Sequence, residues 1–296
     1  MDNRWVFVDS KENLEIAENA IRVAQIIAVD TEYDSFRYFF EKLCLLQIQT
    51  DQTTWLIDQM ADLDMTFMGE VFTNPDILKI FHAGDNDIRL LKRDYSFSFQ
   101  NIFDTHRAAS LLGVRQLALS RLIEGYLGAV IEKKMQRSRW DLRPLSEEQL
   151  NYAAMDTAYL HSLYQKLNTE LMKKGLKKDA ERVFIEMTGV SWRPKDMDQS
   201  GYRKLPGYGQ LTPVQKERLR LLYNWRFDKA KNTDRACFMI LSNQQLVSLA
   251  GVNDASLTKI VGPGLLSSER ARRFGLEILS LLTNKDFSPA ASYSFS

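Results

Sequence analysis

A chain of 296 residues with 45% hydrophobic and 26% charged residues has an ordinary globular composition, long enough for one large domain or two smaller ones. No apolar run approaches the roughly 18 residues of a membrane span, and the start Met1-Asp2-Asn3-Arg4-Trp5 lacks the basic and apolar regions of a signal peptide. Two distant cysteines, Cys44 and Cys237, fit a reducing cytosol, and no Cys/His spacing suggests zinc.

Trp5 to Val8 predicts a short strand, and Ser10 a cap for a helix carrying Leu14, Ala17, Ala20 and Ile21. A buried strand then ends in Val29-Asp30-Thr31-Glu32. Leu43 to Ile48 and Thr54 to Ile57, separated by polar residues, predict a hairpin or meander continuing the sheet. A helix over 63–72, a strand over 77–81 and a helix opening at Asp85 follow. Beyond Phe103 the periodicity predicts helices near 105–112, 116–127 and 146–174. Glycines and prolines cluster over 189–210, a linker signature. Thr212-Pro213 then caps the first of four or five short helices, at 214–231, 243–250, 254–261 and 268–282. The expected organisation is a domain over 1–188, a linker over 189–210, a helical module over 211–284 and a disordered tail over 285–296.

Asp30 and Glu32 are spaced i, i+2, so on a strand they share one face. At about 4 Å and an effective dielectric near 20, two such charges repel by on the order of 4 kcal/mol, which a hard divalent cation relieves. Solvated acids at a strand end are the plainer alternative. Asp87 falls in the first turn of a helix, where a carboxylate is favoured, and Asp104 stands at a strand end or N-cap. Tyr152 and Asp156 are i, i+4 on a helix whose start is set by a Ser146–Gln149 capping box. The net charge of +1 hides an acidic first part (−8 over 1–130) and a basic middle (+8 over 131–235). A cation-dependent site acting on a polyanion would need that division, which two unrelated surfaces also produce by chance.

Taken together, these stretches resemble the DEDDy 3′→5′ exonucleases, and within them the ribonuclease D branch. Asp30-Thr31-Glu32 with Leu43 to Ile48 matches the first motif, and His82-Ala83-Gly84 with Asp87 the second, continued by Asp104-Thr105. The third match runs through Lys133, Lys134, Gln136-Arg137-Ser138, Trp140, Arg143-Pro144-Leu145, Gln149-Leu150, Tyr152-Ala153-Ala154 and Asp156. Residues 211–283 are similar to the HRDC module, carried by Arg218, Trp225-Arg226, Ala230, Phe238 and Leu249-Ala250 among others. Family members typically carry two helical C-terminal modules, where this chain has room for one.

The resemblance implies a ribonuclease H-like α/β fold of the proofreading-exonuclease type, a mixed sheet flanked by helices, followed by a small all-α HRDC domain. It implies two divalent ions, Mg²⁺ or Mn²⁺, held by Asp30, Glu32, Asp87 and Asp156. Tyr152 would orient the attacking water, being too weak a base to deprotonate it near pH 7. The implied activity is release of nucleoside 5′-monophosphates from single-stranded RNA 3′ ends, tRNA precursors among them, in the cytoplasm and without a stable protein partner. DNA is the alternative strand, since no motif reports on the 2′-OH. A non-catalytic adaptor would require loss of a metal ligand, and all four acids and the tyrosine are present.

Candidates for holding the strand are Lys133, Lys134, Arg137, Arg139 and Arg143, with Phe36 and Tyr38 as base-stacking or core aromatics. His82 and Asp104 are candidates just outside the ligands, with a packed histidine and a helix cap as their plainer roles. Arg218, Arg220, Arg226, Lys229, Lys231 and Arg235 make a second basic surface or a solvated helix face.

Overall fold

The computed structural model describes residues 4–51, 53–131, 134–253 and 255–283. Lys133 and the tail expected over 285–296 lie outside them. The chain divides into two units: residues up to Asp34 together with Glu41–Arg193, and Ser35–Phe40 together with the chain from Pro194 on. The hairpin segment Ser35–Phe40 thus belongs with the helical half.

Six strands form one mixed sheet among the described residues of the first unit: β1 (Arg4–Val8), β2 (Ile26–Asp34), β3 (Lys42–Thr50), β4 (Thr53–Asp58), β5 (Leu78–Phe81) and β6 (Ile102–Asp104). Their order is β1-β4-β3-β2-β5-β6. β2, β3 and β4 are antiparallel neighbours, while β1 runs parallel to β4, and β5 parallel to both β2 and β6. The helices are α1 (Lys11–Val23), α2 (Thr66–Thr73), α3 (Asp85–Tyr95), α4 (Thr105–Leu111), α5 (Leu119–Leu127), α6 (Glu147–Ala158), α7 (Leu160–Lys173) and α8 (Lys177–Thr188). None is long and apolar enough to cross a membrane.

Strand alternation sorts the core into two clusters. Leu46 and Ile48 join Ile27, Val29 and the α1 residues Leu14, Ala17 and Ile21 in the larger one. Leu45 and Leu56 join Trp140, Leu145, Ala153 and Ala154 in the smaller. The small residues Ala153, Ala154 and Thr157 are the buried ones of α6, which packs on β2, β3 and β4. Short side chains there let the helix backbone lie close to the sheet.

The single helix expected over 146–174 is two, parted at Tyr159, where ψ is −6°. Gln49 Nε2 donates to the Ala158 carbonyl at that break (3.4 Å). The predicted Ser146–Gln149 capping box is present in full. α8 was not expected; its opening Lys177-Lys178-Asp179 masks the buried stripe Ala180, Phe184 and Met187.

In the second unit α9 (Pro213–Asn232), α10 (Cys237–Ile240), α11 (Asn243–Ala250) and α12 (Ser268–Thr283) surround a separate core. Residues 257–260, within the helix expected over 254–261, form turns instead, ending at a bridge between Val261 and Leu266 that spans the left-handed Gly264 (φ +75°). The stretch expected as linker contributes Tyr202 and Leu205 to this core. Arg226 is also internal, donating to the Leu241 carbonyl (3.0 Å) and Asn243 Oδ1 (2.9 Å), which removes it from the expected basic surface.

Candidate active site

β5 pairs with β2 only from Ile26 to Ala28, so Asp30, Thr31 and Glu32 lie past the end of that ladder. The chain leaves β5 at Phe81 and re-enters helix at Asp85, which puts Asp87 in the first turn of α3. The Thr31 hydroxyl donates to Asp87 Oδ1, tying the first acidic segment to the second.

The intervening turn is held by Asp104. Its Oδ2 accepts from the Gly84 amide (2.9 Å) and its Oδ1 from the Arg107 amide at the start of α4 (2.8 Å). Asp104 is fully buried, and burial raises its pKa against the pull of those two amides. Its bonds are those of a cap and turn anchor. A Cβ on Gly84 would stand 2.7 Å from Phe81 Cβ, so only glycine fits. His82 Nδ1 lies 2.9 Å from Thr105 Oγ1, whose own hydrogen goes to the Phe81 carbonyl (3.1 Å). Nδ1 is therefore assigned as the protonated nitrogen.

α6 supplies the remaining pair. Tyr152 and Asp156 share a side-chain hydrogen bond, as their spacing predicts. Burial, then the Asp156 and Asp87 charges, push the Asp30 carboxyl well above the usual range. Burial, then Asp30, Asp156 and Asp87, do the same to Glu32. Asp87 is raised to about 6, chiefly by burial and in part restrained by Thr31. Burial and then Asp156 raise the Tyr152 hydroxyl far above its ordinary value, so it stays protonated.

Asp30 and Glu32, both raised by the neighbouring charges of Asp87 and Asp156, make with them a set of hard oxygen donors of the kind that suits a small divalent cation. As placed, no three His, Cys, Asp or Glu side chains among the described residues grip a single point. The fit to such an ion is one of donor chemistry, carboxylate oxygens for a hard cation.

A cavity of about 320 Å³ opens at Asp30, His82, Ser120, Gln136, Tyr152 and Asp156. A second, of about 450 Å³, is lined by Lys134, Met135, Glu148, Asn151, Tyr152 and Met155. Tyr152 borders both. Ser120, Asn151 and Met155 carried no signal in the sequence, since each reaches the cleft only through the packing of its helix.

The basic candidates part company here. Lys134 and Arg137 are exposed, while Arg139 forms a bidentate bridge to Asp141 (2.7 and 2.8 Å). Arg143, expected to touch nucleic acid, is a structural clamp. All five of its N–H groups are taken, by both Asp58 oxygens and by the carbonyls of Trp140, Leu142 and Cys44. Arg143→Ala is therefore expected to destabilise the first unit by about 3–5 kcal/mol in urea, leaving the buried Asp58 carboxylate unpaired. Arg137→Ala should stay within about 0.5 kcal/mol of the parent in the same titration. Phe36 and Tyr38 sit in the helical unit, where Phe36 packs on Phe238 with centroids 4.8 Å apart.

A family model described as 3′-5′ exonuclease matches residues 5–172, and an HRDC domain model matches 215–282. The chain is 30% identical over 287 residues to ribonuclease D of Shewanella sp. (strain ANA-3), covering 95% of this chain and 73% of that protein. It is 32% identical over 256 residues to exosome complex component 10 of Rattus norvegicus, covering 82% of this chain but spanning only 28% of that longer protein. Escherichia coli RNase D, described as an exoribonuclease involved in structured RNA processing, superposes with a TM-score of 0.70 at 27% identity, over 95% of this chain and 75% of that one.

Proposed function

The chain belongs to the ribonuclease D family of 3′-5′ exonucleases, and on that premise we propose that it is a metal-dependent exoribonuclease releasing nucleoside 5′-monophosphates from RNA 3′ ends. What supports the reading is the crowding of Asp30 and Glu32 by the charges of Asp87 and Asp156, next to the cavity that Asp30, Tyr152 and Asp156 line.

Asp30, Glu32, Asp87 and Asp156 would hold two divalent cations, Mg²⁺ or Mn²⁺. Bound there, such ions lower the pKa of a water and stabilise the attacking and leaving oxygens at phosphorus. Tyr152 keeps its proton, gives it in a hydrogen bond to Asp156, and offers its oxygen lone pairs to the attacking water. Thr31 and the Asp104–Gly84 bond hold Asp87 in place. The smaller cavity is within the size range of small-molecule sites and would receive the terminal nucleotide. Lys134 and Arg137 would meet backbone phosphates.

The similarity to Escherichia coli RNase D, described as an exoribonuclease involved in structured RNA processing, supports RNA over DNA. Trimming or turnover of tRNA and other small RNAs in the cytoplasm is the setting we propose. Single-stranded RNA and DNA labelled at either end, with and without EDTA, test the reading. We expect 5′-labelled RNA to shorten to a ladder, 3′-labelled RNA to release labelled mononucleotide from the first turnover, and EDTA to stop both. Shortening from the 5′ end, faster loss of DNA, or activity untouched by EDTA would each overturn it.

A further inference from the structure

β3 carries one residue that neither the core nor the proposed chemistry accounts for. Gln47 is fully buried in the strand interior between the apolar Leu46 and Ile48, and neither its Oε1 nor its Nε2 has a hydrogen-bond partner. Buried polar side chains nearly always find a partner, and one that does not is an unexplained expense in a core where methionine or leucine would fit.

Its place in the ladder gives the explanation. Gln47 lies directly opposite Asp30. Side chains opposite each other on antiparallel strands project from the same face, about 4.5–5.5 Å apart at Cβ, within reach of a glutamine amide. The same face carries Leu45, opposite Glu32, and Gln49, opposite Ala28. Gln49 donates to the last carbonyl of α6, the helix that bears Asp156. Gln47 is thus enclosed between the strand that presents two of the acids and the helix that presents a third.

We propose that Gln47 is a positioning residue of the active site, its carboxamide donating to the Asp30 carboxylate and fixing its orientation when that group is ionised and holding a cation. The proposal rests on the reading that Asp30 is a metal ligand. A donor on the oxygen facing away from the ion selects one carboxylate rotamer and leaves the other oxygen for coordination. Removing it should loosen the ion without loosening the fold.

Gln47→Met, unbranched and close in length, tests this by thermal unfolding of the full chain across a Mg²⁺ titration, with hydrolysis of a single-stranded RNA measured alongside. We expect the metal-free melting temperature to hold or rise, because an unpartnered amide is gone. The Mg²⁺ concentration giving half the thermal shift should rise at least tenfold, and kcat at subsaturating Mg²⁺ should fall at least tenfold, with KM for RNA within threefold. Gln47→Leu repeats the measurement should the methionine variant fold poorly. An unchanged Mg²⁺ midpoint, or a metal-free melting temperature that drops along with the activity, would overturn the proposal in favour of simple packing. A parent protein that shifts with Mg²⁺ but degrades no RNA would sink the exonuclease reading alone, the midpoint comparison still deciding the role of Gln47. A parent with no Mg²⁺ shift would sink both.

Discussion

Asp156→Asn leaves a folded protein that still binds single-stranded RNA and no longer shortens it. Asparagine has the shape of aspartate and keeps an oxygen for the Tyr152 hydroxyl, so α6 and its contact to the sheet persist. The charge is lost, and with it one of the four acids we propose to hold a cation. Removing one preorganised electrostatic group from an active site commonly lowers kcat by 10²–10³-fold; for a charged ligand we expect about 10³-fold or more, roughly 4 kcal/mol of barrier. Stability should move the other way. Asp156 is the first charge acting on Asp30 and the second on Glu32, both raising their pKa values, so its neutralisation relieves repulsion in the metal-free protein. RNA shortening on gels, RNA binding by fluorescence anisotropy and metal-free melting temperature together check this. Undiminished digestion would remove Asp156 from the metal site.

Mg²⁺ should stabilise the protein strongly at pH 7.5 and little at pH 5. Asp87 titrates near 6 in the folded chain, against about 3.9 for an unperturbed aspartate, and Asp30 and Glu32 are displaced in the same direction. Between about pH 4 and pH 6 the folded state therefore binds more protons than the unfolded one. Metal-free stability then falls as pH rises through that interval and remains low above it, further so as Asp30 and Glu32 lose their protons. A cation takes over the neutralising role once the protons have left. At pH 5 it must compete with them. Thermal unfolding with and without millimolar Mg²⁺ should show a shift of about 5 °C or more at pH 7.5 and about 1 °C at pH 5. Equal shifts at both pH values would contradict the assignment of these raised carboxyls to the cation site.

The residues legible in the sequence were those whose geometry is set within one element. Asp30 with Glu32, and Tyr152 with Asp156, follow from the periods of a strand and a helix, and the Ser146–Gln149 box marked where that helix starts. Asp104 could be read as a cap because capping is local, although its second bond, to Gly84, could not. What escaped was long-range. Arg143 stood in a run of cations and read as surface, yet its partner Asp58 comes from a strand far earlier in the chain. Gln47 looked like one more strand residue until the register set it across from Asp30. α8 was hidden by the charges at its start, and within the helix predicted over 254–261 residues 257–260 form turns ahead of Gly262 and Gly264.

The placement of Ser35–Phe40 in the second unit bears on the order in which the chain can acquire its structure. Phe39 is 4% exposed and packs edge-on against Phe227 of α9, while the Phe40 amide donates to Asp234 (3.0 Å). On a ribosome this aromatic hairpin emerges early, but α9, its packing surface, is made only after the whole exonuclease domain has followed. The interval leaves Phe36, Phe39 and Phe40 without their cover on a nascent chain, an opening for chaperones or for aggregation. Contacts of such sequence separation close slowly. A helix made long after the exonuclease strands thus completes the burial of a loop that begins three residues after Glu32.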